Sequence, residues 1–170
     1  MPKMPDLPKD LLSLAGEYRV CSELNKRGVF ATITYGNRKS VDIYAISGRH
    51  SRALKIEVKT SQTRRFLTGI GQKGKGLASR PDAPDFWVLV QVRRGPDGCY
   101  TERFFVLTDR EIWQKQAVQN RDYVKRYAKR NKRKPDMSKG VDSIAVVDVE
   151  EYEDEWPKIL DDNRLKEKDS

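Results

Sequence analysis

The chain has 170 residues, of which 37% are hydrophobic and 35% are charged, so its length fits a single domain and its composition excludes a wholly disordered chain. Its two cysteines and single histidine exclude a disulfide framework, a thiolate zinc site and any site that needs paired histidines. No apolar run reaches the length of a membrane span and the first residues lack the apolar core of a signal peptide. We therefore expect a cytoplasmic protein with no membrane partner.

The net charge of +9 favours a polyanionic partner, most simply nucleic acid. Because histidine is so scarce, any catalysis must depend on carboxylates, lysines or hydroxyl groups.

The first part of the chain predicts one helix followed by an antiparallel meander. The helix ends before Gly28, a residue that commonly follows a helix C-terminus, and short polar turns separate the strands. The predicted elements are a helix at 8–27 and strands at 29–35, 41–47 and 53–61.

The second part begins with a long segment at 62–84 that is rich in glycine and lysine and predicts a basic loop, with room for a short helical part. Regular elements then resume, with Thr108 or Asp109 as the N-cap of a helix. The predicted elements are strands at 85–92 and 103–108, the helix that begins at 110, a second helix at 119–134, and a short strand at 143–147.

These elements predict an α/β fold with a mixed central sheet flanked by helices. We expect one domain over residues 1–170, with a basic helical segment at 119–134 and an acidic C-terminal extension at 148–170.

The hairpin of the second and third strands brings two carboxylates together. If it is symmetric about the midpoint between Arg49 and His50, paired residues have numbers that add up to 99, and Asp42 lies opposite Glu57. Opposed like charges need a neutralising partner, and a divalent cation such as Mg²⁺ or Mn²⁺ is the simplest one. Lys59 follows on the same strand face, where its ammonium group can hold or activate a water beside the metal.

The first helix supplies a third acid. Glu17 falls on the apolar line that we expect to face the core, and a carboxylate in such a place is costly to bury without a partner. That line consists of Leu14, Cys21 and Leu24, with Leu11, Ala15 and Tyr18 beside it, whereas Glu23 points outward.

This ordered set of Glu17, Asp42 and Glu57-Val58-Lys59 resembles the PD-(D/E)XK nuclease superfamily, and is similar to archaeal Holliday-junction resolvases and restriction-type endonucleases. The resemblance covers roughly residues 10–108 and implies an αβββαβ core. It implies that Asp42 and Glu57 bind catalytic Mg²⁺, for which Mn²⁺ can substitute, that Lys59 supports the attacking water, and that Glu17 aids the metal or the lysine.

Two further positions bear on the resemblance. Gln62 lies where some members place another polar site residue, so it joins the candidate catalytic set. Val41 precedes Asp42 where many members have proline.

Two basic segments are candidates for phosphate contacts. The glycine-rich loop contains G-x-G-x-x-G at 69–74, but no strand leads directly into it and no βαβ unit surrounds it, so a dinucleotide site is rejected. The second segment is a helix that presents one dense basic face. The candidate residues are Lys73, Lys75 and Arg80 in the loop, and Arg121, Lys125, Arg126, Lys129, Arg130 and Arg133 in the helix.

The interpretation that follows is a Mg²⁺-dependent endonuclease acting on DNA, of resolvase, restriction or repair type. By resemblance its products carry 5′-phosphates, and a homodimer would place two sites on two strands. Three alternatives stay open: a solvated strand face with ordinary ion pairs, a non-catalytic nucleic-acid-binding module, and an accessory subunit that joins other DNA-processing proteins.

Overall fold

The computed structural model describes residues 7–34, 41–47, 53–70, 83–136 and 142–161. Within these residues the chain forms a mixed α/β fold, as predicted. The elements are α1 (Lys9–Lys26), β1 (Val29–Ile33), β2 (Ile43–Ser47), β3 (Leu54–Ser61), β4 (Arg65–Leu67), β5 (Phe86–Arg94), β6 (Tyr100–Thr108), α2 (Asp109–Asn131), β7 (Ser143–Ala145) and α3 (Pro157–Leu160).

The main sheet has five strands in the order β1-β2-β3-β5-β6. β1, β2 and β3 form the predicted antiparallel meander, β5 runs parallel to β3, and β6 is antiparallel to β5. β4 and β7 form a separate two-stranded sheet. The mixed sheet flanked by helices is thus confirmed, and the only parallel pairing among the described strands is at β3, the strand with the E-x-K triplet.

Each face of the main sheet has its own core. Val20 and Leu24 of α1 and Ile159 of α3 pack on one face, together with alternate residues of the strands. Ile112 of α2 packs on the other face, over Leu89 of β5 and residues of β6. Alternation along β3 therefore decides which side chains face α1 and which face the layer that holds α2.

Two predicted elements differ from the structure. A short strand, β4, lies inside the segment predicted as a loop, because Phe66 is fully buried and pairs with Ile144 of β7. The two helices predicted around 110 and at 119–134 are one continuous helix, α2, which begins with a capping box between Thr108 and Glu111 and ends before Lys132, a residue in the left-handed region. Arg133 therefore lies beyond the end of the helix.

The described part of the acidic extension, residues 148–161, packs on the body of the protein. Trp156 and Ile159 are buried, and the Arg103 guanidinium donates to both carboxylate oxygens of Glu153 (2.7 and 2.6 Å). The guanidinium carbon of Arg27 lies 4.6 Å from the Trp156 ring centroid, which ties the extension to the end of α1.

The buried stripe of α1 agrees with the predicted line at Leu24 and, in part, at Cys21, but differs in the first half of the helix. Gly16, Val20 and Leu24 are buried, whereas Leu11, Leu14 and Tyr18 are 54%, 40% and 52% exposed. The physical reason lies at Gly16, where a Cβ atom would be 1.8 Å from Thr60 Oγ1 and 3.0 Å from Thr60 Cβ. The helix thus contacts β3 through its smallest residue, and this close approach sets the rotation of the helix.

We predict that Gly16→Ala destabilises the protein despite the higher helix propensity of alanine. The new methyl group overlaps Thr60, so we expect a loss of about 1–3 kcal/mol, as for other overpacked cores. Chemical denaturation of Gly16→Ala, Gly16→Ala/Thr60→Ala and the exposed control Ser13→Ala measures the effect. The double variant should recover part of the loss, and a Gly16→Ala protein as stable as wild type would contradict the close contact.

Candidate active site

The pairing of β2 with β3 has the predicted register. Ile43 pairs with Ile56, Tyr44 with Lys55 and Ala45 with Leu54. Continued by one residue, this register places Asp42 at the level of Glu57, and alternation puts the Glu57 side chain on the face away from α1.

Asp42 is held against β3 by two hydrogen bonds. Its backbone N–H donates to the carbonyl oxygen of Ile56 (3.0 Å), and its carboxylate Oδ2 accepts from the backbone N–H of Val58 (2.7 Å). The Asp42 carboxylate thus accepts the Val58 N–H of β3, a group that would otherwise need a backbone carbonyl of a neighbouring strand. This arrangement fixes the carboxylate at the edge of β3.

Glu57 and Lys59 form an ion pair on the same face of β3. Glu57 is 9% exposed, and the Lys59 ammonium group donates to its Oε1. The parallel register places Glu57 beside Trp87 of β5, and the Lys59 nitrogen lies 5.9 Å from the Trp87 ring centroid. Trp87 is itself fixed because its Nε1–H donates to Asp109 Oδ1 (2.9 Å) at the start of α2.

Glu17 reaches this group from α1. It is half-buried at the margin of the buried stripe, one residue after Gly16. Burial raises the pKa of Glu17 most, the negative charges of Asp42 and Glu57 raise it further, and the positive charge of Lys59 lowers it. The structure thus brings Glu17, Asp42, Glu57 and Lys59 within electrostatic reach of one another.

This cluster contains three acids and one lysine, and its chemistry suits a hard divalent cation. Among the described residues, no three histidine, cysteine or acidic side chains lie in a ready-made metal-binding geometry. Mg²⁺ does not require such a set, since it usually keeps several waters and binds one or two protein carboxylates together with substrate phosphates. Asp42 and Glu57 supply those two carboxylates, so the residues present fit this ion.

Gln62 has a structural partner. Its amide oxygen accepts a hydrogen bond from the backbone N–H of Leu7 (3.0 Å), just before α1 begins. Gln62 thus links the end of β3 to the start of α1, and its catalytic role stays a prediction.

The predicted basic segments fall in different parts of the chain. Lys73, Lys75 and Arg80 lie outside the described residues. The remaining six side chains are exposed and, within the described part of the chain, take part in no ion pair; they are Arg121, Lys125, Arg126, Lys129 and Arg130 on α2 and Arg133 beyond its end. Tyr123 and Tyr127 on the same helix contact each other, with ring centroids 5.8 Å apart and ring planes tilted by 47°.

Two residues that position the site were not identified from the sequence. Gly16 was not singled out, although a glycine inside a helix is a signal for close packing. Trp87 is not among the candidate site residues, and its place beside Glu57 depends on the parallel pairing of β3 with β5, which the sequence does not reveal.

A comparison with solved structures finds chains of similar structure. A solved structure described as a bacterial homing endonuclease, I-Ssp6803I, is similar to this chain with a TM-score of 0.47 and 16% sequence identity, over 96% of this chain and 100% of that chain. No protein-family model and no curated protein matches the chain. Within the described residues, no helix is long and apolar enough to cross a membrane.

We predict that Glu17→Gln and Glu23→Gln, two matched substitutions in α1, have opposite effects on the stability of the folded state at neutral pH. The pKa of Glu17 is raised from its ordinary value of 4.5, so the folded state loses stability as pH rises from 4.5 through the raised value. Hydrogen bonds from Arg27 and Lys26 lower the pKa of Glu23, so its carboxylate stabilises the folded state at neutral pH and this contribution is lost in acid.

Thermal unfolding between pH 4 and pH 8 in chelator tests both substitutions. At neutral pH, Glu17→Gln should raise the melting temperature and Glu23→Gln should lower it. A Glu17→Gln protein less stable than wild type at pH 7 would contradict the placement of Glu17 beside the other acids.

Proposed function

We propose that the protein is a metal-dependent endonuclease that hydrolyses DNA phosphodiester bonds, with selectivity of the resolvase, restriction or repair type. The observation that supports it most is the electrostatic coupling of Glu17 to Asp42, Glu57 and Lys59. An acid with a perturbed pKa that lies close to other carboxylates and a lysine is typical of catalytic sites. The four residues are those on which the resemblance to PD-(D/E)XK nucleases depends.

In this proposal Asp42 and Glu57 hold the metal ion. A bound Mg²⁺, or Mn²⁺ in its place, stabilises charge on the phosphate and makes water more acidic. The Val58 N–H fixes one oxygen of the Asp42 carboxylate, which leaves its other oxygen as a ligand.

Lys59 and Glu17 have the positioning roles. The ion pair with the Glu57 carboxylate directs the Lys59 ammonium group toward the site, where it donates hydrogen bonds to the attacking water or to a phosphate oxygen. The carboxylate of Glu17, with its raised pKa, accepts a hydrogen bond or a proton from water at neutral pH more readily than an ordinary glutamate.

The choice of DNA as substrate is supported by the net charge of +9 and by the exposed basic residues of α2. Cations that lie on one exposed helix neutralise phosphates without reading sequence. DNA rather than RNA, products with 5′-phosphates, a homodimer and other DNA-processing partners all belong to the proposal through the resemblance.

We predict that the purified protein nicks or cleaves supercoiled plasmid, linear duplex or a four-way junction in Mg²⁺, and that chelator abolishes cleavage. Lys59→Met should lower the rate by about 10²–10⁴-fold, the range for a lost group that acts on the attacking water, and Glu57→Gln should lower it strongly because it removes a metal ligand. The matched control is Glu23→Gln, whose carboxylate pairs with Arg27 and Lys26 away from the site.

Each outcome of this assay selects one interpretation. Cleavage that persists in Glu57→Gln comes from a contaminating nuclease and contradicts the proposal. Binding of DNA by wild type without cleavage would favour the non-catalytic module. The absence of both binding and cleavage would favour the accessory subunit.

We also predict that Lys125→Ala/Lys129→Ala weakens DNA binding in a salt-dependent manner. If each lysine neutralises one phosphate, the slope of log affinity against log salt should fall by about 0.9 per lysine. Fluorescence anisotropy at several salt concentrations measures the slope, with Lys26→Ala as control because Lys26 pairs with Glu23 on α1. An unchanged slope in the double variant would exclude α2 from the DNA contact.

A further inference from the structure

One half of the sheet has no described helix over it. On the face away from α1, α2 covers β5 and β6 with Ile112. The same face of β1 and β2 presents side chains to solvent: Phe30 is 63% exposed and Ile46 is 44% exposed, and the two pair across the strands. Large apolar side chains that lie together in the open mark an interaction site more often than a neutral surface.

This open half-face is continuous with the candidate active site. Phe30 and Thr32 alternate with the buried residues of β1, Thr32 pairs with Tyr44, and Tyr44 pairs with Lys55. Lys55 lies on the same face of β3 as Glu57 and Lys59. A row of side chains on one face of the sheet therefore runs from β1, the edge strand, across β2 to β3, where Glu57 lies.

The chemistry of this row fits bases better than phosphates. Aromatic side chains on a strand surface stack against the faces of bases, and base faces are accessible only where the nucleic acid strand is unpaired. A duplex would instead present phosphates, for which Phe30 and Ile46 offer no hydrogen-bond donor. Lys55 adds a cation beside the row, where the backbone of the same strand would pass.

A second copy of the chain is a poorer occupant of this surface. Its arrival would cover Glu57 and Lys59, which share the face, and would exclude a substrate from them. Continuity with the acidic cluster thus favours the substrate itself over another protein.

We propose that the face formed by Phe30, Thr32, Tyr44 and Ile46 binds unpaired bases of a nucleic acid strand whose backbone passes Asp42 and Glu57. This inference rests on the proposed function, because it narrows the proposed substrate from DNA in general to DNA with a single-stranded portion next to the cleaved bond.

Binding in chelator tests the surface without cleavage. Fluorescein-labelled oligothymidylate and a blunt-ended duplex of two separate strands of the same length are titrated with wild type, Phe30→Ala and Phe30→Trp, and with Leu67→Ala as control. Leu67 is 69% exposed on β4, outside the main sheet. Loss of one stacked base costs about 1–3 kcal/mol, so Phe30→Ala should weaken single-strand binding by about 5- to 150-fold and leave duplex binding unchanged. Phe30→Trp should retain single-strand binding.

Three results would overturn the inference: no single-strand binding by wild type, equal effects of Phe30→Ala on both probes, or no effect on either. Sedimentation of the same proteins adds a fourth, because a wild-type dimer that Phe30→Ala dissociates would assign the face to a second copy. Cleavage is assayed separately in Mg²⁺. If single-strand binding depends on Phe30 but wild type does not cleave, the binding surface is supported and the proposed nuclease activity is contradicted. If wild type cleaves but single-strand binding does not depend on Phe30, the nuclease activity is supported and the binding surface is contradicted.

Discussion

The candidate site depends on one close contact, in which the backbone of α1 at Gly16 lies against the side chain of Thr60 in β3. Glu17 follows Gly16, so the distance between the helix and the strand fixes how near its carboxylate comes to Asp42 and Glu57. The contact has a local cost. A glycine inside a helix lowers stability by about 1 kcal/mol relative to alanine, and the buried Thr60 hydroxyl finds no hydrogen-bond partner in the described part of the chain. The close contact thus places Glu17 near the other acids at the expense of local stability in α1 and β3.

A second cost is electrostatic. Three acids share one lysine at the edge of β3, and the raised pKa of Glu17 shows that the folded chain stabilises its charge less well than water does. A positively charged partner would stabilise the charged carboxylate of Glu17 and so remove this cost. In our proposal a divalent cation is that partner, so metal binding and folding stability are coupled at this site.

Local sequence patterns predicted the part of the site that lies on the hairpin. The alternation in β3 and the symmetry of the loop fixed the pairing of β2 with β3, because a slip of one residue would turn Ile56 and Val58 out of the core. The N-cap at Thr108 was predicted for a similar reason, since the capping box with Glu111 is a contact within four residues.

Features of the fold that depend on contacts between distant segments could not be predicted from the sequence. The apolar pattern of α1 placed Leu11 and Leu14 in the core, whereas the helix is buried along Gly16 and Val20 because the tightest contact needs the smallest residue. β4 was missed since its strand character comes from pairing with β7, almost eighty residues later. The parallel neighbour of β3 was likewise not predictable, so the place of Trp87 beside Glu57 emerged only from the structure.

Diffraction from crystals soaked in Mn²⁺ tests the central claim most directly, because anomalous scattering locates the ion without any assay of activity. The account predicts a peak between the carboxylates of Asp42 and Glu57 that is lost in Asp42→Asn crystals. A peak only at the acidic segment 150–155, or no bound ion in crystals grown with Asp42 and Glu57 intact, would contradict it.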